Sequence, residues 1–309
     1  MLTGFNILIC GSSNITIDHI KAIKKKKNLK ITGIYSRNKL RVEEISRKYN
    51  LKIIENLDKE KLINFDIAVI TSSSSNHLKY IKILSNYIKK IIVEKPIVIN
   101  LNELNILKDI KLKKNLFIKE ISLFDTKPKK TIFNKITINV KKKRNYDDFK
   151  NFKNEIDIYK SPIFNHLPHW FDAASLYLGS TIELDKVKFE KFDKNLQFHK
   201  KISLDLFTHN KQVKINIDLN HDKNFKNELI FNHENELINL FSIPINFLIG
   251  KLNFNSFIDT KDKVVKLEKF YKNFCDEKDF LNQDDYIYNL SKKITFIDKI
   301  WQLSKIKNE

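Results

Sequence analysis

Over its first hundred residues the chain alternates short apolar runs with amphipathic segments, and few folds can use that pattern. Phe5 to Cys10 (FNILIC) ends in Gly11-Ser12-Ser13-Asn14, and helical spacing follows from Ile15 to about Lys26. A run at Lys30–Tyr35 precedes a charged helix that reaches about Tyr49, and further runs lie at Lys52–Ile54 and Asp66–Ile70. After a serine-rich turn and a helix from Asn76 to about Lys89, the fifth run is Ile91–Pro96 (IIVEKP). Strands joined by helices cannot pair as tight hairpins, so this order predicts a parallel sheet covered on both faces. Such sheets bind ligands outside the carboxyl ends of their strands. Lys95, delivered there by an apolar strand, is therefore a candidate proton-transfer group.

Several features recur in fixed order over residues 5–180. They are Gly11 after the first strand, a turn with His77 after the fourth, Glu94-Lys95-Pro96, and His169-Trp170-Phe171-Asp172 ahead of Leu178-Gly179. In that order the chain resembles the glucose-fructose oxidoreductase, inositol dehydrogenase and MocA (Gfo/Idh/MocA) group of NAD(P)-dependent dehydrogenases. The resemblance implies an α/β protein. An amino-terminal Rossmann domain with a doubly wound parallel sheet would occupy residues 1–122. An α+β substrate domain with a mostly antiparallel open sheet and a closing carboxyl-terminal helix would occupy residues 123–309.

Relatives carry G-x-G-x-x-G or a close variant at the first turn, where absent side chains let the backbone approach a pyrophosphate at a helix N-terminus. Here those positions read Gly11, Ser13 and Thr16. A left-handed backbone at Ser13 would cost roughly 1–2 kcal/mol, and its hydroxyl could compensate by bonding a phosphate oxygen. An ordinary strand-to-helix turn is the alternative. After the second strand, where NAD enzymes place an acid for the ribose 2′-hydroxyl, this chain has Ser36-Arg37-Asn38-Lys39. A hydroxyl and a guanidinium suit a 2′-phosphate, so NADP is expected, with NAD possible; the competing reading makes Arg37 and Lys39 solvated helix-start residues. The cofactor contacts implied by the resemblance are Gly11, Ser12, Ser13, Asn14, Ile15, Ser36, Arg37, Thr71, Ser72, Ser73, His77, Glu94 and Lys95. Ser74 and Ser75 read as turn and N-cap, and His77 as structural rather than chemical.

Pro168 suits a first helical turn, which places a helix from about His166 to Leu178, stopped by Gly179. If the helical path extends back to Asn165, then Asn165, His169 and Asp172 fall within an arc of about 60°. In relatives that arc holds an Asp and a His that act with the lysine of Glu-Lys-Pro. Carried over, the resemblance makes His169 the proton acceptor and Lys95 its electrostatic and relay partner. Asn165, standing where many members have Asp, would position the substrate hydroxyl, and Asp172 would hold the imidazole or brace the helix. An amide can orient a neighbour but adds no charge. A metal shared by His166, His169 and Asp172 is disfavoured because the outer two lie about 120° apart on a helix, and no metal site is expected.

From Thr131 onward, runs at Ile132–Val140, Ile182–Phe192, Ile202–Thr208, Val213–Leu219, Glu228–Phe231 and Leu237–Phe241 read as successive strands of one mostly antiparallel sheet. Gln283–Ile306, with apolar residues at helical spacing, reads as the closing helix. The polar stretch 141–160 is either an active-site loop or a solvated linker.

The net charge of +20 raises a nucleic-acid hypothesis. The basic residues are 53 Lys and 4 Arg, spread along the chain, whereas direct base readout favours Arg. We therefore read the charge as a solvated face that attracts anionic substrates. Two cysteines give no disulfide framework, no signal-peptide pattern stands at the N-terminus, and no run reaches the length of a membrane span. A cytoplasmic enzyme is expected, oligomeric through its second sheet as in relatives. It would interconvert a secondary alcohol and a ketone on a sugar, nucleotide sugar or cyclitol. The rival within the same fold is a catalytically silent protein that binds a cofactor or sugar.

Overall fold

The computed structural model describes residues 4–114, 116–120, 135–141, 161–178, 182–191, 199–208, 211–219, 226–233, 236–239, 263–275 and 283–306. The chain forms two compact units, one of residues 1–121 and 261–295, the other of residues 122–260 and 296–309.

The first unit is built on five parallel strands: β1 (Phe5–Cys10), β2 (Leu29–Tyr35), β3 (Ile67–Ile70), β4 (Lys90–Val93) and β5 (Phe117–Glu120), in the order β2-β1-β3-β4-β5. Helices α1 (Asn14–Lys24), α2 (Lys39–Tyr49), α3 (Lys59–Leu62), α4 (His77–Leu84) and α5 (Leu101–Lys114) link them. The order reverses at β1, which places a crevice beside its carboxyl end. Alternate residues of the strands feed two cores. Leu8, Cys10, Ala68, Ile70, Ile91 and Val93 pack with Tyr80, Ile81, Leu84, Leu104 and Leu107. Ile7, Ile9, Ile67, Val69 and Ile92 pack with Ile20 and Ile23 of α1. A sheet buried on both sides needs no polar face, hence the unbroken Ile and Val runs.

Two details differ from the sequence reading. Lys52–Ile54 is not a strand: Ile53 makes a single bridge to Ile34, because only the hydrogen bonds from Ile34 N–H to Lys52 O and from Ile54 N–H to Ile34 O form there. IIVEKP is therefore the fourth strand, and the fifth is Phe117–Glu120, whose FIKE sequence carries too few apolar residues to stand out.

Helix α8 (Lys263–Cys275) also returns to the first unit, as does the first part of α9 (Gln283–Ile306). The sequence reading assigned everything after residue 122 to the second domain. The cause is apolar: Leu267, Phe270, Tyr271 and Phe274 complete the α1 side of the sheet, and Leu290 and Ile294 complete the other.

The second unit holds six strands: β6 (Lys135–Lys141), β7 (Glu183–Lys191), β8 (His199–Thr208), β9 (Lys211–Asp218), β10 (Lys226–His233) and β11 (Glu236–Asn239). Their order is β11-β10-β6-β9-β8-β7, antiparallel except for the β6–β9 pair. One face buries Ile138, Val140, Ile202, Leu204, Leu206, Val213, Ile215 and Ile217. The short α6 (Pro162–Asn165) and α7 (Leu167–Leu178) belong to this unit, and α7 packs on β9. Phe171 meets Phe296, and Phe164 meets Trp301, with ring centroids 4.7 and 5.1 Å apart. The polar stretch 141–160 lies outside the described residues except for Lys141, and so does Gly179.

Candidate functional site

The turn after β1 is shaped by Gly11. Its φ of +149° lies in a region that side chains rarely adopt, and a Cβ there would sit 2.5 Å from the carbonyl carbon and Oγ1 of Thr71. The bare backbone lets β1 and β3 close together at their carboxyl ends, and Gly11 N–H donates to Tyr35 O at 2.8 Å. Ser13 takes φ −74° and ψ 173°, an ordinary extended conformation, so the strain expected for a left-handed serine does not arise. Its hydroxyl donates to Thr71 O at 2.9 Å instead of standing unpaired for a phosphate. Thr16 is fully buried and its hydroxyl bonds that of Thr71 at 2.7 Å. Two hydroxyls, of Ser13 and Thr16, thus tie the start of α1 to Thr71 at the end of β3.

The same crevice continues to the ends of β2 and β3. A cavity of about 530 Å³, within the size range of small-molecule sites, is lined by Gly11, Ser12, Ser13, Ser36, Arg37, Asn38, Ser72, Ser73, Asn76 and Tyr80. Ser12 and Ser36 join across it through their hydroxyls at 2.8 Å. Asn38 is the N-cap of α2, its side chain accepting from Arg41 N–H at 3.1 Å. Arg37 reaches the phenol of Tyr80, whose pKa is raised chiefly by burial and by Tyr35, against the opposing guanidinium. No carboxylate stands among these lining residues. Asn14, Ile15, Thr71, His77, Glu94 and Lys95, also expected to touch the cofactor, are outside this lining set, although Thr71 and His77 hold the walls. Asn14 accepts from Arg41 Nη2 at 3.5 Å.

Lys95 follows β4 and is half-buried. Its chain neighbours are fixed by buried side chains. Glu94 Oε1 lies 2.8 Å from His19 Nε2, and Glu94 Oε2 accepts from Lys95 N–H at 3.3 Å. Burial alone would raise the Glu94 pKa, but the His19 hydrogen bond and the charges of His19, Lys95 and His77 outweigh it and hold the carboxyl below its ordinary range. His77 places Nδ1 2.9 Å from Pro96 O and Nε2 3.1 Å from Ser72 O, linking the lysine turn to the crevice wall. Burial lowers the His77 pKa against those two carbonyl bonds. Glu120 Oε2 accepts from Ile97 N–H at 2.7 Å, its backbone N–H meets Tyr286 Oη, and its Oε1 pairs with Lys293.

The sequence reading missed Tyr80, His19, Glu120 and Lys293. His19 had a visible signal, since it interrupts the stripe of Thr16, Ile20 and Ile23 that α1 buries. Tyr80 lies one turn beyond His77 on α4. Nothing local marks Glu120 or Lys293, because their partners are distant in sequence.

In the second unit, His169 and Asp172 sit on α7 as expected, with Pro168 in the first turn. Asn165 does not share that helix. It is the last residue of α6, and a turn at His166 separates the two, so the arc that assumed a continuous helix does not hold as drawn. The side chains of Asn165 and His169 lie outside the described residues. Asp172 is half-buried. Among the described residues no group of His, Cys, Asp or Glu is arranged to hold a metal, and no helix is long and apolar enough to cross a membrane.

Residues 5–120 match the oxidoreductase family with the NAD-binding Rossmann fold. No curated protein matches the sequence significantly. Among solved structures, a 3-ketoreductase variant from Actinomadura kijaniata in complex with TDP-benzene and NADP is 12% identical, covering 96% of this chain and 97% of its own, with a TM-score of 0.72. The apo scyllo-inositol dehydrogenase from Lactobacillus casei is 13% identical over 96% of this chain and 95% of its own, at 0.70. A structure described as a putative myo-inositol dehydrogenase, from Sinorhizobium meliloti, is 16% identical over 76% of this chain and 75% of its own, at 0.63. At such identities the likeness speaks for the fold. Residues 5–120 are thus similar to the NAD-binding Rossmann part of that oxidoreductase family, and the chain shares its fold with these solved structures.

Proposed function

We propose that this protein is an NAD(P)-dependent oxidoreductase that interconverts a secondary alcohol and a ketone on a sugar, nucleotide sugar or cyclitol. The observation that carries the reading is the crevice at the carboxyl ends of β1, β2 and β3, closed to any Cβ at Gly11 and followed by Lys95 at the end of β4. A bound nicotinamide dinucleotide would supply the hydride acceptor or donor. Gly11, Ser12, Ser13, Ser72 and Ser73 would cradle its phosphates and ribose. Ser36, Arg37 and Asn38 would hold a 2′-phosphate, which favours NADP because the lining offers that group hydroxyls and a cation and no repelling acid. Neighbours of this fold include an NADP complex and inositol dehydrogenases, consistent with the substrate class.

In this reading His169 takes the proton of the substrate hydroxyl as hydride leaves the same carbon. Lys95 lends positive charge to the developing oxyanion and relays the proton, Asn165 orients the hydroxyl, and Asp172 braces the imidazole or its helix. We further propose that the protein works as a homo-oligomer through the second sheet, in a cytoplasmic setting. The sheet face opposite the apolar one carries a polar ladder: Ser203 Oγ donates to Asn216 Oδ1 at 2.6 Å, and Asn216 Nδ2 to Asn139 Oδ1 at 2.8 Å. Sedimentation analysis tests the oligomer.

The activity test is NADP reduction across a panel of sugars, cyclitols and nucleotide sugars, with titrations of NADP and NAD run in parallel. Turnover with any of these alcohols supports the dehydrogenase. Tight dinucleotide binding without turnover would replace it by the silent member of the family, and the absence of dinucleotide binding would overturn both.

A further inference from the structure

The imidazole of His19 is fully buried, lies on the helix that opens the dinucleotide crevice, and has no part in the reading above. Its two nitrogens are both engaged. Nδ1 lies 2.7 Å from Tyr271 Oη on α8, and Nε2 lies 2.8 Å from Glu94 Oε1. Tyr271 is itself fully buried and meets the imidazole edge to face, with centroids 5.9 Å apart. Both contacts can be satisfied together, with Tyr271 O–H donating to Nδ1 and Nε2–H donating to the Glu94 carboxylate. The carboxylate's second oxygen accepts the backbone N–H of Lys95.

Resting on the reading of Lys95 given above, we propose that His19, backed by Tyr271, is a positioning residue for the reaction: it fixes the Glu94 carboxylate as the counter-ion that keeps Lys95 an ammonium in its working place. A free glutamate would have several staggered rotamers to choose from, and only a held carboxylate presents a constant charge to the next residue. The charged and titratable groups facing Glu94 are His19 from α1, Lys95 beside it in the chain, and His77 from α4; Tyr271 from α8 reaches it through His19, and Glu120 faces His77 in turn. The three cationic or potentially cationic groups all favour the ionised carboxylate. The relay joins α8, far along the chain, to the residue before the lysine.

The test compares pH profiles of kcat for wild type, His19→Gln, His19→Leu and Tyr271→Phe, with NADP affinity and melting temperature measured for each. His19→Leu removes both bonds and is expected to lower kcat about tenfold or more and to move the high-pH limb, where the lysine loses its proton, down by roughly half a pH unit or more. NADP affinity should stay within about threefold. His19→Gln, whose amide nitrogen can replace Nε2 as donor to Glu94, should keep both kcat and limb near wild type. Tyr271→Phe, which loses only a hydroxyl and serves if His19→Leu fails to fold, should shift the limb by less and in the same direction. The proposal is overturned if the limb stays put in His19→Leu and Tyr271→Phe, if NADP affinity falls in proportion to kcat, or if His19→Gln is as impaired as His19→Leu.

A second readout separates this from failure of the activity itself. In protein methylated on lysine with carbon-13, the resonance missing from Lys95→Arg reports the ammonium directly. Its titration should move down in His19→Leu whether or not a substrate has been found, and an unmoved titration would overturn the relay alone.

Discussion

The turn after β1 and the turn after β4 both stand at the mouth of the same sheet, yet they are held by opposite means. The first is held by absence: Gly11 has no Cβ, and two small hydroxyl residues, Ser13 and Thr16, tie the helix to Thr71. The second is held by buried ionisable side chains, with Glu94 fixed by His19, Pro96 by His77, and Ile97 by Glu120. Backbone shape suits a site that must lie close to a phosphate, which needs room and amide donors. A site that must move a proton needs charge in a fixed place, and fixed charge needs partners that are themselves buried and satisfied.

That difference can be broken at either turn. The largest effect is expected from Lys293→Met, which strands Glu120 as an unpaired buried charge and should cost about 3–5 kcal/mol of stability. Denaturant unfolding measures it, and adding Glu120→Gln should restore much of the loss. Gly11→Ala attacks the first turn and should cost about 1–3 kcal/mol through backbone strain, before the clash with Thr71 is added. The loss should fall on dinucleotide affinity more than on Lys95, and fluorescence titration with NADPH would show an unchanged Kd if this is wrong. Arg37→Ala should reduce the preference for NADP over NAD by roughly tenfold, or about 1.4 kcal/mol, through loss of a charge-assisted bond. Parallel titrations with the two dinucleotides read that ratio.

The smallest effect concerns acid. The Glu94 carboxyl is held below its ordinary range in the folded protein, so the stability it contributes is fully present above the unfolded value near about pH 4.3 and is lost as pH falls through the depressed folded value. Stability between neutral and acid pH should therefore fall less steeply in Glu94→Gln than in wild type. An identical slope would show that the carboxylate is not held as described.

The two turns also differ in how far the sequence exposes them. Gly11 is legible because a strand ending in glycine before a helix has few other meanings, and the strand carrying Lys95 is legible because buried parallel strands are nearly all apolar. Even there, the strand count was off by one, since the three residues Lys52–Ile54 form a bridge and not a strand. The means of holding Lys95 is mostly illegible. His19 and Glu94 are 75 residues apart, and Glu120 and Lys293 are 173 apart. Such pairs are set by tertiary packing, which has no local period to read. The return of α8 and the first part of α9 to the first unit is hidden for the same reason: their apolar stripes show that they pack, and not on which unit. On the second unit, the helical path does not extend back to Asn165, and the sequence leaves that open because Pro168 marks a helix start without saying whether the preceding turn continues it.

The most direct test of the account is turnover by Lys95→Met beside wild type, at saturating NADP and with the best alcohol from the panel, with NADP affinity measured on the same samples. The account predicts that turnover falls by more than about tenfold, as for loss of a proton-transfer group, while affinity for NADP is retained. A fall of less than about tenfold at unchanged affinity would contradict it.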